Sequence, residues 1–332
     1  MNILITSAAR KVLLVQAFQK ALHDEGISGL VIAGDSLPDC PAPKFADIAI
    51  VLPPLNEDNP EGDWIFFCHL LSICEDNKIK LIVPTRDGEL GFFANFKWNF
   101  DMRGIRVAIC EADTVKLCQD KIAFADFCEA NGFEIPQRIS DITHLPVFAR
   151  PRQGHGSGLA TRVDTMAELA ITKRKLGECI IQENISAPEY TVDIFCNEDS
   201  KVLSVIPRQR IKIVAGESVV SRTEKNADIM RECQRMAEML KLKYHSVIQC
   251  FYDNGVVKFI EVNPRYGGAS NCSFVAGGES PRWLVQMVNG KTVTAPPIGE
   301  FLDNLTMLRY SQDIFIHNGG NYENPITQER AT

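Results

Sequence analysis

In the first 110 residues short apolar runs alternate with amphipathic stretches, and this alternation constrains the fold more than any other feature of the chain. Residues 2–6 (NILIT) read as a buried strand, followed by a turn at Ser7-Ala8-Ala9-Arg10. Val12, Leu13, Val15, Phe18 and Leu22 then recur at helical spacing. Further strands are expected at Gly29–Ala33, Ile48–Val51, Lys80–Pro84 and Ile105–Ile109, with helices at 63–77 and 87–97. Strands that alternate with helices in this way predict a parallel sheet covered on both faces. Such a sheet binds ligands at the carboxyl ends of its strands, which here carry Ser7–Arg10 and Thr85-Arg86-Asp87-Gly88-Glu89. The region lacks G-x-G-x-x-G, which disfavours a dinucleotide-binding dehydrogenase.

Composition narrows the function classes. With 42 acidic and 35 basic side chains the net charge is −7, which argues against a nucleic-acid or anionic-membrane binder. No apolar stretch approaches the roughly 20 residues of a membrane helix, and Met1-Asn2 leads directly into a strand pattern without an export signal. The eleven cysteines are scattered, with no C-x-x-C, and read as reduced packing residues. Together these features predict a soluble, cytoplasmic protein.

The middle of the chain changes character. One helix is expected from Asp113 to Asn131-Gly132, then a strand at Leu145–Arg150 that runs into the glycine-dense Arg152–Gly158. A helix at 164–176 and a strand at Cys179–Gln182 complete a compact βαβ-like unit. From Glu189 onward the pattern is antiparallel, with Tyr190–Cys196, Val202–Ile206, a helix at 226–241, and a hairpin of Ser246–Asp253 with Val256–Val262. The division expected is 1–112, 113–184 and 185–332.

The sharpest chemical signal is Phe259-Ile260-Glu261-Val262-Asn263-Pro264-Arg265. On a strand Glu261 and Asn263 share a face, and a carboxylate beside an amide oxygen suits Mg²⁺ held jointly with phosphates. Arg265 follows as a fixed cation for a transferring phosphoryl group. A two-residue Asn254-Gly255 turn would put Gln249 on the face opposite Glu261. A three-residue Asp253-Asn254-Gly255 loop with a bulge at Gly255 would put it on the same face, and this form is expected if Gln249 joins the metal site. Arg150, before the glycines of 154–158, suits phosphate approached by backbone N–H groups, although no Walker G-K-[ST] follows. Lys121 is either a second phosphate contact or a solvated helical lysine. The extended Ile180–Ile185 offers backbone groups to a flat base, and an acid beyond it could bind a ribose.

A cation before a glycine loop, a strand with an acid beyond it, and a final Glu-x-Asn-Pro-Arg form an ordered series. That order resembles the ATP-grasp superfamily, and especially proteins like the large subunit of carbamoyl-phosphate synthase. Ile82–Leu90 and Asp120-Lys121 are similar to that family as well. The resemblance implies an α/β ATP-grasp fold with an N-terminal parallel-sheet (pre-ATP-grasp) domain, a small lid subdomain and a mixed or antiparallel C-terminal domain. It assigns Lys121 and Arg150 to the ATP phosphates, and Gly154, Gly156, Ser157 and Gly158 to a loop over the triphosphate. Gln182, Glu183 and Ile185 correspond to the adenine segment and Glu189 to the ribose acid. Gln249, Glu261 and Asn263 correspond to ligands of one or two Mg²⁺ ions (Mn²⁺ being an alternative), and Arg265 to the stabiliser of an acyl-phosphate step. Arg208, Arg210 and Lys212 match positions of phosphate- or substrate-facing cations.

The activity implied is ATP-dependent joining of a carboxylate to an amine through an acyl phosphate. Arg10 and Arg86 are candidates to hold a substrate carboxylate, Asp87 and Glu89 to meet an amine, and Gly267 and Gly268 belong to a loop beside them. Arg86 and Asp87 equally suit a helix cap. A kinase, a carbamoyl-phosphate-forming enzyme and a non-catalytic nucleotide-binding regulator remain alternatives. A homodimer through the N-terminal domain is the assembly such folds often use.

Overall fold

A computed structural model describes residues 1–55, 60–154, 160–317 and 320–322. Its first sheet contains β1 (Asn2–Ile5), β2 (Val31–Asp35), β3 (Ile48–Val51), β4 (Ile79–Val83) and β5 (Arg106–Val107). They run parallel in the order β3-β2-β1-β4-β5. β5 is shorter than the sequence pattern suggests. The helices are α1 (Val12–Asp24), α2 (Pro60–Asp76) and α3 (Asp87–Asp101). Alternate strand residues feed two cores. Ile3, Ile5, Val31 and Val83 pack with Val15, Phe18 and Leu22 of α1, while Leu4, Ile32 and Ile82 pack with Leu70, Phe92 and Phe93 of α2 and α3. Burial on both faces is why these strands read as nearly continuous apolar runs. The order reverses between β1 and β4, so the loops after these strands flank a crevice.

The helix expected across 113–131 is two helices, α4 (Ala112–Gln119) and α5 (Lys121–Ala130). The chain breaks at Asp120, whose extended backbone (φ −99°, ψ 105°) lets its carboxylate accept from the Ile122 and Ala123 amides. The side chain thus caps α5, and Lys121 becomes its first residue.

The next unit is antiparallel rather than βαβ-like. β6 (Val147–Pro151) lies between β7 (Thr161–Val163) and β8 (Cys179–Glu183), and α6 (Met166–Leu176) buries Leu169 against Val147, Ala149 and Val163. The largest sheet follows. It contains β9 (Glu189–Cys196), β10 (Val202–Val214), β11 (Glu217–Thr223), β12 (Tyr244–Asp253), β13 (Val256–Asn263) and β14 (Thr306–Leu308), in the order β13-β12-β9-β10-β11-β14. α7 (Ala227–Met239) covers one face through Ile229, Cys233 and Met236. α8 (Asn271–Val275) and α9 (Ser280–Val288) follow β13, and α9 packs beside α1.

All eleven cysteines are free; nine are buried and serve as packing, Cys179 is partly buried and Cys68 is exposed. No described helix is long and apolar enough to cross a membrane.

Candidate functional site

One cleft of about 1510 Å³ lies between the β6–β8 unit and the large sheet, and it extends to the carboxyl ends of β1, β2 and β4. Its chemistry centres on Glu261. One carboxylate oxygen accepts from Arg150 Nη2 at 2.7 Å; the other accepts from Gln249 Nε2 at 3.0 Å and Asn263 Nδ2 at 3.1 Å. Burial works against this charge, but Arg150, the Asn263 amide and Lys121 outweigh it, so the carboxyl lies below the ordinary glutamate value.

Gln249 reaches Glu261 by a route other than the expected one. The turn has two residues, Asn254 (φ 49°) and Gly255 (φ 86°), with Asp253 opposite Val256. The extra residue lies inside β13: Cys250 pairs with Phe259 and Gln249 with Glu261, so Ile260 is a bulge. The shift brings Gln249 to the Glu261 face. The Ile260 carbonyl accepts from Arg150 Nη1 at 2.9 Å, which fixes the guanidinium at both ends.

The donor set suits a hard cation. The two amides now direct N–H groups at Glu261, and a half-turn of each would bring its oxygen to the same point. With a single carboxylate present, the set fits an ion completed by phosphate oxygens. No group of three His, Cys, Asp or Glu suited to a metal occurs among the described residues.

Most of the other expected residues converge here. Lys121 lines the cleft, its Nζ bonds the Gly154 carbonyl at 3.1 Å, and burial lowers its pKa. Gly156, Ser157 and Gly158 lie outside the described residues. Gln182, Glu183, Ile185 and Glu189 all line the cleft. The buried Gln182 donates its Nε2 to the Pro136 carbonyl at 2.9 Å. Glu183 accepts from Lys258 Nζ and the Gln137 amide, both at 2.9 Å. Burial raises the Glu189 carboxyl above its ordinary value even though Arg210 Nε stands 3.1 Å away.

Lys212 is a correction. Arg208 and Arg210 line the cleft, and simple alternation would place Lys212 with them. Arg210 pairs with Ser221 and Lys212 with Val220, so Ile211 is an extra residue that turns Lys212 out of the cleft to an exposed position. Arg208 is buried with its Nε donating to Asp193 at 2.6 Å. Asp193 also accepts from Ser273 at 2.6 Å and Ser270 at 2.5 Å, with His245 Nε2 at 3.2 Å. Burial opposes the Asp193 charge, but Arg208 and His245 prevail and hold its carboxyl far below the usual range.

At the sheet end, Arg265 grips Asp87 with two bonds, Nε at 2.7 Å and Nη2 at 2.5 Å. Asp87 is therefore joined to the arginine rather than open to an amine. Glu89 is a correction too. It is buried and accepts from Thr6, Ser7 and the Thr85 and Arg86 amides at 2.7–3.1 Å, which tie the β1 and β4 loops together. Arg10, Arg86, Gly267 and Gly268 all line this end. A side chain at Gly267 would place Cβ 3.0 Å from Ser270 Oγ and 3.1 Å from Val247, so these side chains would have to give by a few tenths of an ångström.

Sequence reasoning missed Lys11, Asp35, Glu217 and Arg309, which line the same end. Lys11 and Asp35 follow or end strands of the parallel sheet, so the strand-end rule could have found them. Glu217 and Arg309 carry no comparable signal.

Residues 175–307 match the family described as ATP-grasp in the biosynthetic pathway with Ter operon, and residues 3–108 match the PylC-like N-terminal domain. Among solved structures, biotin carboxylase from Campylobacter jejuni is similar at TM-score 0.70 and 13% identity, over 89% of this chain and 72% of that one. An L-amino acid ligase from Bacillus licheniformis is similar at TM-score 0.65 and 15% identity, over 91% and 75%. N5-carboxyaminoimidazole ribonucleotide synthetase from Thermus thermophilus is similar at TM-score 0.64 and 14% identity, over 89% and 80%. No curated protein matches the chain. At these identities the likeness establishes the fold.

Proposed function

We propose that this chain, a member of the ATP-grasp superfamily, is an ATP-dependent carboxylate–amine ligase. In this reading ATP phosphorylates a substrate carboxylate, ADP leaves, and an amine or similar nucleophile displaces phosphate from the acyl phosphate. The observation that carries it is the meeting of Lys121, Arg150, Glu261 and Arg265 on one cleft that ends at the carboxyl edge of a parallel sheet.

The base would lie along Gln182–Ile185, with Phe148 and Phe251 lining the same cleft and Glu189 in reach of the ribose. Lys121 and Arg150 would hold phosphate oxygens. Gln249, Glu261 and Asn263 would hold Mg²⁺, which when bound offsets charge on the phosphates. Arg265, oriented by Asp87, would stabilise charge developing on the transferred group. Positioning and fixed charge suffice for such chemistry, so no nucleophilic side chain is required. Closure of the β6–β8 unit would keep water from the acyl phosphate.

The test is a screen of amino acids paired with small acids for stimulated ADP release. An active pair should fall silent in Glu261→Ala while the folded spectrum persists. A protein that binds ATP but gives no acid- and amine-dependent ADP release with any pair would refute the ligase reading.

A further inference from the structure

The nucleotide reading leaves several cations of the cleft unused, and Lys11 is one of them. Lys11 sits at the start of α1, partly buried, and lines the acceptor end. The charges that act on it are Arg265, Asp87, Glu217 and Arg309. Those acting on Lys121 are Glu261, Arg150, Asp87 and Asp120. Lys11, Lys121, Asp87, Glu217, Arg265 and Arg309 all line the one cleft, and Asp87 acts on both lysines.

The four groups around Lys11 are already matched. Arg265 is clamped to Asp87, while Arg309 donates to Glu217 at 2.6 Å and also to the Gly268 carbonyl. Lys11 Nζ has no acceptor among the described residues. Among these five groups the two arginines are each paired with a carboxylate, and the lysine is the cation left without an ion-pair partner. Burial, followed by Arg265, lowers the Lys11 pKa to about 8. An ammonium taken from water without an acceptor is unfavourable, and an arriving anion removes that penalty.

We propose that Lys11, flanked by Arg265 and Arg309, is the anchor for a carboxylate or phosphate group on the acceptor substrate. This rests on the ligase reading and assigns the residue of this chain that holds its acceptor. The anchored group would sit next to the phosphate centre, on the side formed by the N-terminal sheet. Arg265 would then face both the transferred phosphoryl group and the acceptor.

The test uses full-length protein with ¹³C-labelled lysine, Mg²⁺ and a non-hydrolysable ATP analogue, with the Lys11 signal assigned by its loss in Lys11→Met. Acetate and inorganic phosphate are titrated separately. The Lys11 signal should move saturably with at least one of them, and its titration midpoint should rise because the anion favours the ammonium. A response to phosphate alone identifies a phosphate-bearing acceptor, and a response to acetate alone identifies a carboxylate. By calorimetry Lys11→Met should weaken binding of the responding anion about tenfold or more, with Lys11→Arg recovering much of it and both variants melting as the parent does. If the analogue binds and Lys11 ignores both anions, or Lys11→Met binds them like the parent, the anchor is refuted and the nucleotide site stands. If the analogue does not bind the parent protein, the ligase reading falls and the anchor with it.

Discussion

Asp193→Asn should be among the most damaging single-atom changes available in this chain. Asp193 lies 4% exposed on β9 and accepts from Arg208, Ser270 and Ser273, with His245 beside it. The amide retains one acceptor oxygen, turns an N–H₂ toward donors, and removes the counter-charge of an arginine that is only 2% exposed. The serine hydroxyls can rotate to accept from the amide, whereas the guanidinium cannot. Removing one partner of a buried ion pair costs about 3–5 kcal/mol, and replacing both charges costs far less. Asp193→Asn should therefore lower unfolding stability by about 3–5 kcal/mol. Adding Arg208→Met should restore about 2 kcal/mol or more, a coupling expected of groups in direct contact.

Urea unfolding followed by tryptophan emission suits the measurement. Trp283 is buried with its ring 5.5 Å from Phe195 of β9, whereas Trp64 and Trp98 are exposed. The blue-shifted component thus reports the region that contains Asp193. Asp193→Asn within about 1 kcal/mol of the parent, or a double variant no more stable than the single one, would refute the assignment of a buried, mutually dependent pair.

Arg210→Ala should reduce ADP release strongly, whereas Lys212→Ala should leave it within about twofold; equal losses in initial-rate assays would contradict the bulge at Ile211. Glu25 is partly buried, and its bonds from Arg282, Lys291 and Gln286 hold its carboxyl down to about 2. Since the folded value lies below the unfolded one, this stabilisation is complete above about pH 4.5 and lost as pH falls toward 2. Glu25→Gln should flatten that part of the melting-versus-pH curve, and an unchanged acid limb would count against the assignment. Asp120→Ala removes the α5 cap and the partner of Arg152, and should cost about 1 kcal/mol in thermal unfolding.

The parallel sheet was legible because its strands are buried on both faces and its helices on one, so two periodicities alternate openly in the sequence. The ATP-grasp resemblance was legible because Glu261, Asn263 and Arg265 lie within five residues of one another. Single-residue offsets were not. Ile211 stands between Arg210 and Lys212 and Ile260 between Phe259 and Glu261, as alternating strand residues would, and nothing local marks either as unpaired in the ladder. The break at Asp120 carries no local signal, because an aspartate suits the surface of one long helix as well as the cap of a second. The Lys11 cluster joins residues 11, 87, 217, 265 and 309. Such a cluster exists only in three dimensions.

The bulge at Ile260 also affects how the hairpin could be re-engineered. Moving the extra residue into the turn, by deleting Ile260 and lengthening Asn254-Gly255 by one, would preserve the count between Gln249 and Glu261 and keep them side by side. What disappears is the Ile260 carbonyl that holds Arg150. The amide–carboxylate cluster would survive, with its arginine held by Glu261 alone. Alignment across the strands and anchorage of the cation are therefore separable traits, both encoded by the location of one inserted residue.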